Sequence, residues 1–479
     1  MDTSGAYESC AVSGILSLDV HRLTFYSVSP QAREWFLQAA SNADQICLSN
    51  WLSRGRYVVS RFFSKVGAEF FRMKVLYIDG VGPFGGASRS LFELVRTLST
   101  RGVEPYFVCV RGTALNFYRK VAKDHIATVG LTRFDNTLYG HYRGSRWLIL
   151  LREFSYLPFT IFSLVQARRR WKDIDLIHVN ELTEIFPLLL ARLLFRVPVI
   201  VHVRSLTWAD AKSVRCQWLF KKLNIRVNKI IAIDENVRST LPSDFDVTVI
   251  QNSFTPSSAN VRDEHVISRL DQLPNDSIKI GFVGNLHHSK GLFDLLEAAR
   301  VVIERGEKVQ FVIIGGSTRT GGGLKSWLIK KAGFAQDVEA ELQSLISQYS
   351  LQKIFHMFGP TIDIHSVYER IDVLCFPSHF DAPGRPVFEA AFSGVPCIAA
   401  VSQPRPDTLL DYETGIAVPP KNPVKLADAI SYFSQNRSEI SRMGENAKKL
   451  AESNFNPEKN ASKVLKVYSD LHDAKCDHP

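Results

Sequence analysis

The sequence predicts an α/β protein built from two doubly wound, Rossmann-like domains that face each other across a cleft. Three observations predict it. The chain has 479 residues, too many for one hydrophobic core. A β-α-β pattern opens at Met73, and the same pattern restarts near Ser277.

The first pattern reads MKVLYIDG from residue 73, a buried strand, then the glycine-rich turn VGPFGGASRS, the helical LFELVRTLSTRG and the strand PYFVCV. Further strand-like runs are DLIHVN (175–180), VPVIVHV (197–203), KIIAID (229–234) and VTVIQN (247–252). Helical patterns separate most of them, as expected of a parallel sheet covered on both faces. The second series starts with SIKIGFVGNLHHSKGLFDLLEAARVV at residue 277. It continues through QFVIIGG (310–316), KIFHMFG (353–359), DVLCFP (372–377), VPCIAA (395–400) and GIAVPP (415–420). The polar stretch 253–277 divides the two. The predicted organisation is an amino-terminal extension (1–72), a first domain (73–252), a second (253–455) and a carboxy-terminal helix (456–479) returning toward the first. Ligands of such folds bind at the carboxyl ends of the strands, so the cleft is the expected site.

Composition narrows the function classes. An apolar fraction of 45% with 22% charged residues is that of a globular chain and excludes disorder. Seven cysteines, at 10, 47, 109, 216, 375, 397 and 476, form no CxxC, so neither a disulfide framework nor a zinc site is expected, and a reducing cytoplasm fits best. The net charge of +10 suits nucleic acid, an anionic membrane or a phosphorylated ligand. No RNA- or DNA-reading motif accompanies the charge, which disfavours nucleic acid. Neither a signal peptide nor a convincing transmembrane helix is expected, since arginines and a glutamate interrupt the most apolar windows, 147–167 and 186–203.

The extension has two readings, an appended segment with its own role or an upstream extension of the reading frame. Its last part (57–71) has helical spacing, with Val59, Phe62, Phe63, Val66 and Phe70 broadly on one side and Arg61 and Lys65 interleaved. It would lie on a membrane surface or pack on the first domain.

The densest chemistry lies in residues 377–396, PSHFDAPGRPVFEAAFSGVP. Asp381 and Glu389 stand eight residues apart around a Gly-x-Pro turn, Glu389 falling in the first turn of a helix. Carboxylates suit the diol of a sugar or ribose, and the free N–H groups of a helix start suit a phosphate. A second element, Gly284-Asn285-Leu-His-His-Ser-Lys290-Gly291, follows the first strand of the second domain and offers a cation. A third, Gly82-Pro-Phe-Gly85-Gly86, lets backbone approach a ligand without a Cβ in the way.

These segments resemble the retaining GT-B glycosyltransferases of family 4. The 381–389 segment is similar to that family's E-x7-E motif, with the glycine at 384 and the EAxxxGVP tail from Glu389 to Pro396. The 284–291 loop resembles its G-R/N-L-x(3)-KG element, and the resemblance covers about residues 73–455. It implies that the first domain takes the acceptor and the second a nucleotide-diphosphate sugar. Glu389 would bind ribose hydroxyls and Asp381 the donor sugar, with the backbone around Gly384, Arg385, Val387 and Phe388 close to sugar and phosphate. Lys290 would stabilise the leaving diphosphate, with Gly284 and Asn285 beside it and Arg385 adding charge. Gly85 and Gly86 would lie against the diphosphate on the acceptor side. The departure is Asp381, where the family usually carries Glu; Asn285 stands where many members have Arg.

Arg204 and Asn180, at predicted strand ends, are acceptor-side candidates. For His178 and His202 a place in the core competes with a place in the cleft. Asp407 and Glu413 match a loop near the donor site only loosely. His287 and His288 lack an acidic partner nearby, and no metal is assigned. The basic segments ARRRWK (167–172), after the aromatic-rich 154–164, and LKSWLIKKAGF (324–334) suggest peripheral attachment to an anionic membrane, a solvated face being the alternative. The expected activity is metal-independent hexosyl transfer without a cofactor, from a nucleotide sugar to a saccharide acceptor, a lipid-linked one, at the cytoplasmic face of a membrane. A catalytically silent GT-B partner protein and a sugar-nucleotide epimerase are the rival readings.

Overall fold

A computed structural model describes residues 72–138, 140–142, 144, 147–256, 262–316 and 338–476. The 57–71 helix and the basic 324–334 segment lie outside the described residues.

Strand order decides where ligands can bind. The first sheet has seven parallel strands: β1 (Met73–Asp79), β2 (Val103–Val110), β3 (Asp124–Thr128), β4 (Leu176–Val179), β5 (Val199–Val203), β6 (Lys229–Ala232) and β7 (Val247–Val249). They lie in the order β3-β2-β1-β4-β5-β6-β7. The second has six: β8 (Ile278–Val283), β9 (Val309–Ile314), β10 (Phe355–Gly359), β11 (Val373–Phe376), β12 (Cys397–Ala400) and β13 (Gly415–Val418), ordered β10-β9-β8-β11-β12-β13. The chain reverses direction across the sheet between β1 and β4 and again between β8 and β11. These are the topological switch points, where the loops diverge and leave a crevice.

Helices cover both faces, so the central strands are mostly apolar; β4, β5, β9, β11 and β12 are buried at every position, His178, His202 and Gln310 included. The edge strand β3, DHIAT, is half polar and carries no unbroken apolar run, which is why its sequence does not stand out. Separate apolar clusters line the two faces of each sheet, led by Leu76, Ile78 and Val201 in the first domain and by Ile280, Phe282 and Phe311 in the second.

The last helix, Pro457–Cys476, belongs to the first core although it follows the second domain. Ala461, Val464 and Tyr468 pack with Tyr77, Leu91 and Leu98. The Tyr468 hydroxyl lies 2.6 Å from His178 Nδ1 and 3.2 Å from the Tyr77 hydroxyl, all three side chains being buried. Replacing Tyr468 with Phe strands both partners in a site without water. We expect a loss of about 1–3 kcal/mol of stability in urea unfolding.

Candidate active site

Two loops meet at the second domain's switch point. After β8 the chain runs through Gly284 to Lys290, with Leu286 buried beneath it. After β11 it runs from Pro377 to Gly384. A Cβ at Gly291, whose φ is +72°, would sit 1.7 Å from the Pro377 carbonyl oxygen, so only glycine lets the loops touch. The His379 amide donates to the Ser289 carbonyl at 2.9 Å and fastens the contact. A further tie is a hydrogen bond of 2.8 Å between His379 Nε2 and Asp294 Oδ2.

Lys290 is the product of this geometry. Its ammonium lies 5.1 Å from the Phe380 ring centroid and 5.5 Å from that of Phe376, and no carboxylate among the described residues pairs with it. Burial lowers its pKa, because the cation has lost water and gained only aromatic faces in exchange. An uncompensated, half-desolvated cation at a cavity wall is an anion site.

The cavity lies between the domains and holds about 640 Å³. Thr137, Arg204, Ser205 and Asp234 line it from the first domain, and Lys290, Phe380, Pro383 and Gly384 from the second. An adjoining space of about 270 Å³ shares Arg204, Asp234, Lys290 and Gly384 with it and is bounded by two helix starts. One is Gly86–Ser99, whose N-cap Gly85 supplies no side-chain bond and has nothing within 4 Å of a Cβ position. The other is Arg385–Phe392, capped by Gly384, also without a side-chain bond. The first leaves first-turn N–H groups without a side-chain cap beside this volume; in the second, Pro386 has no N–H and the Val387 amide donates to the Gly384 carbonyl at 3.0 Å, which leaves the Arg385 amide.

Arg204 supplies the first domain's cation. Its Nε donates to Asn180 Oδ1 at 2.6 Å and its Nη1 to Asn252 Oδ1 at 2.6 Å, so two amides aim the guanidinium while leaving its charge unneutralised. Burial lowers its pKa to about 10. Behind it the nearest carboxylates are themselves held toward neutrality. Desolvation raises Glu181 to about 7 and Glu184 to about 8, the latter in spite of the Arg133 guanidinium 3.8 Å away. Asp79, which accepts from Tyr118, Ser88 and Asn180, is raised too, again by burial. Asp234 is the carboxylate on the cavity wall; its Oδ1 caps a short helix at the Val237 amide, and burial lifts it to about 6.

Glu389 and Arg385 form a different assembly, across the domain boundary. Arg385 donates from Nε to Glu389 Oε1 at 2.5 Å, from Nη2 to Glu93 Oε1 at 2.7 Å, and from Nη1 to Ser90 Oγ at 3.0 Å. Arg89 approaches both carboxylates, at 3.6 Å from Glu93 and 3.7 Å from Glu389, and the Tyr368 hydroxyl donates to Glu389 Oε2 at 3.2 Å. Arg89, Ser90 and Glu93 belong to the Gly86–Ser99 helix of the first domain.

The expected site residues therefore divide. Lys290, Arg204, Gly384 and Gly86 converge on one volume, with Arg385, Val387 and Phe388 bounding its smaller part. Gly85 caps the adjacent helix, and Asn180 stands behind Arg204. Glu389 is buried beside the cavity, its carboxylate engaged by Arg385. The charge that Arg385 was expected to add to a diphosphate is instead spent on Glu93 and Glu389. Asp381 does not line the cavity: held at φ +51°, its Oδ1 accepts from the Ser402 amide at 2.5 Å. Asn285 is exposed and Gly284 lies beneath the loop, its carbonyl against Gly315. His178 and His202 are core residues held neutral by burial. His287 lines the larger cavity, whereas His288 stacks on Phe293 at 4.5 Å and, against the expectation that no acid lies near, has its Nε2 3.2 Å from Glu341. Sequence reasoning missed Asp234, Glu181, Glu184 and the Arg89–Glu93 pair. The first three follow the ends of β6 and β4, a position that marks them; the pair carries no local signal.

Two outcomes follow from this electrostatics. Arg385→Ala leaves Glu93 and Glu389 buried with only the more distant Arg89 between them and should cost about 3 kcal/mol in denaturant unfolding, with part recovered by adding Glu93→Gln. Glu184 binds its proton more tightly folded than unfolded, so its contribution to stability is complete below about pH 4.3 and is lost as pH rises toward about 8. Glu184→Gln should flatten that decline and raise the melting temperature at pH 8 more than at pH 5.

Comparison with known proteins gives this arrangement a family context. Residues 84–257 match the model described as Glycosyltransferase Family 4, and residues 266–450 the model described as Glycosyl transferases group 1. The capsular polysaccharide biosynthesis glycosyltransferase CapM of Staphylococcus aureus is 24% identical over 235 residues, 47% of this chain and 57% of that protein. D-inositol 3-phosphate glycosyltransferase of Corynebacterium diphtheriae is 28% identical over 230 residues, 47% of this chain and 50% of that protein. The chain thus spans about half the length of the curated relatives it matches. Among solved structures, Anabaena Alr3699/HepE in complex with UDP superposes with a TM-score of 0.64 at 17% identity, over 83% of this chain and all of that one. Sucrose-phosphate synthase from Thermosynechococcus elongatus does so with 0.62 at 18%, over 84% of this chain and all of that one. Its two facing Rossmann-like sheets give the chain the GT-B fold of these structures, and its first and second domains match the two glycosyltransferase family models in turn.

Proposed function

We propose that this protein is a retaining, metal-independent glycosyltransferase. It moves a hexose-type sugar from a nucleotide-diphosphate sugar to a lipid-linked saccharide in polysaccharide or glycolipid assembly, at the cytoplasmic face of a membrane. The observation that carries the reading is Lys290, an uncompensated cation facing Arg204 across a cavity onto which two uncapped helix starts open. Four sources of positive potential around one volume suit a diphosphate. They concentrate charge where it grows during the reaction. Solved relatives of the same fold bind UDP and UDP-glucose, and one matching protein serves capsular polysaccharide biosynthesis, which fits the donor class and the pathway class.

In this reading the bond from the anomeric carbon to the β-phosphate oxygen breaks with its electron pair on the phosphate, where Lys290 stabilises it. The acceptor oxygen bonds to the anomeric carbon on the same face, and its proton passes to the departing phosphate. Glu389 takes the ribose hydroxyls when Arg385 yields one carboxylate oxygen. The donor sugar is held by groups of the larger cavity, Asp234 among them, and Asp381 shapes the loop through Ser402.

A second reading, a catalytically silent partner protein of the same fold, draws on the engagement of Glu389 by Arg385 and of Asp381 by Ser402. Ligand-observed binding of UDP, GDP and ADP sugars separates the two. We expect one nucleotide series to bind and transfer to survive EDTA, while silence across all three would favour the partner protein. Lys290→Ala should lower transfer by about 10²–10³-fold, and undiminished transfer in that variant would remove the site assignment.

A further inference from the structure

Two consecutive helices of the first domain are inside out. In Trp147–Ser155 and Leu157–Arg170, Leu148 and Leu151 are each 68% exposed and Phe162 71%, while Glu153 is 5% exposed, Ser163 1% and Thr160 not at all. The polar side chains face inward because the protein satisfies them. Glu153 Oε2 accepts from the Arg133 amide at 3.2 Å, Thr160 Oγ1 accepts from the Thr132 amide at 2.8 Å, and Ser163 donates to the Thr160 carbonyl at 3.1 Å. Leu164 and Ala167 are buried with them, while most of the larger apolar side chains are left to the medium. In water that pattern is the reverse of what folding selects, since an amphipathic helix buries its apolar stripe.

We propose that this helix pair is a docking surface for an anionic lipid bilayer. Leu148, Leu151, Phe154, Phe159, Ile161 and Phe162 enter the headgroup–acyl boundary, and Arg152 and Arg169 meet lipid phosphates. Three observations select lipid over a protein partner. The pair has the length and apolar composition of a membrane segment, bent by 41° at its break, although no single described helix does. The carboxylate within it is turned inward, so the exposed charges are all positive. Its open groove, about 670 Å³, is lined by Phe154, Leu157, Ile161, Phe162 and Val165 and ends at Arg169, which has no acidic partner among the described residues. An apolar trough with a cation at its end fits an acyl chain below an anionic headgroup.

The surface is continuous with the candidate active site. Thr137 and Gly140, on the loop leading into the first helix, line the donor cavity. The Arg215 guanidinium stacks on both Trp147, at 5.7 Å, and Trp208, at 4.4 Å, tying the helix start to the loop after β5. Docking on these helices therefore brings the cavity's rim to the membrane, where a lipid-linked saccharide would present its hydroxyl. That consequence rests on the proposed function; the docking itself rests on the exposed face and stands without it.

The full chain, sedimented without nucleotide with phosphatidylcholine vesicles containing or lacking phosphatidylglycerol, tests the proposal. We expect binding to the anionic vesicles that weakens with salt. A Leu148→Glu/Leu151→Glu/Phe162→Glu variant should bind on the order of tenfold or more weakly, and Arg169→Gln should bind weakly with a shallower salt dependence. Because these side chains are exposed, melting temperature and nucleotide binding should stay at wild-type values in both. Wild-type protein that remains in the supernatant with both vesicle types overturns the proposal, as does a triple variant that binds like wild type. A triple variant whose effect is the loss of a homodimer in light scattering, with no vesicle dependence, overturns it in favour of a protein interface. Failure of every nucleotide to bind, with vesicle binding intact, would refute the donor reading alone.

Discussion

Among the contacts that join the two domains, one guanidinium is shared by carboxylates of both. Arg385 leaves the second domain's helix start and reaches a carboxylate on each side, Glu389 of its own helix and Glu93 of the facing one, with Phe254 and Phe388 each 5.5 Å from it. Removing such a group from water is costly, and only close partners on both sides offset the cost. The pairing therefore favours the closed approach of the Gly86 and Gly384 helix starts, and that approach shapes the volume between them. Glu389 is thus connected to Glu93 by charge as well as to the nucleotide by its proposed role. A ribose that takes one oxygen of Glu389 redistributes the same cation toward Glu93, whose Oε2 has no partner. Donor binding and domain contact then become linked equilibria, each altering the other by the same free energy.

Charge placement in the cleft follows a consistent logic. Lys290 and Arg204 keep their charges uncompensated at the wall, whereas the carboxylates behind Arg204 are driven toward their neutral forms by burial. A protonated Glu184 cancels less of the field that Arg204 projects into the cavity than an ionised one would. The sheet's switch point supplies the space, and burial supplies the sign. Neither follows from the net charge of the chain, much of which sits on exposed lysines and arginines that salt screens.

Much of this was legible in the sequence, for reasons that differ by residue. The central strands announced themselves because burial on both faces demands unbroken apolar runs, as in VPVIVHV and QFVIIGG. Edge strand β3 did not, since half its side chains meet solvent or loops. Lys290 was legible because its loop must be short and glycine-flanked to reach back over β11. The partner of Arg385 was not: Glu93 lies almost three hundred residues away on an ordinary amphipathic helix, and only the meeting of two domains gives it meaning. Asp381 shows the opposite failure. Its place in the motif stands out in the sequence, yet the side chain accepts from the Ser402 amide, a bond that spacing does not disclose.

The helices at 147–170 were read as too interrupted to span a membrane, and the interruptions prove to be the informative part. Glu153 would veto a lipid-facing helix if it pointed outward; turned inward onto Arg133, it becomes part of the core and leaves the opposite face without a negative charge. Arg152 sits beside it with its guanidinium on Glu153 Oε1 at 2.6 Å and its side chain largely exposed, at the level where a headgroup would lie. A sequence window averages these residues into a mediocre hydropathy. The fold separates them onto two faces, and only then does the pattern distinguish a surface that lies on a bilayer from one that crosses it. Such a surface also gives the first domain a reason to hold its polar residues inside: satisfied there by backbone amides, they free the outer face for a medium that offers no hydrogen bonds.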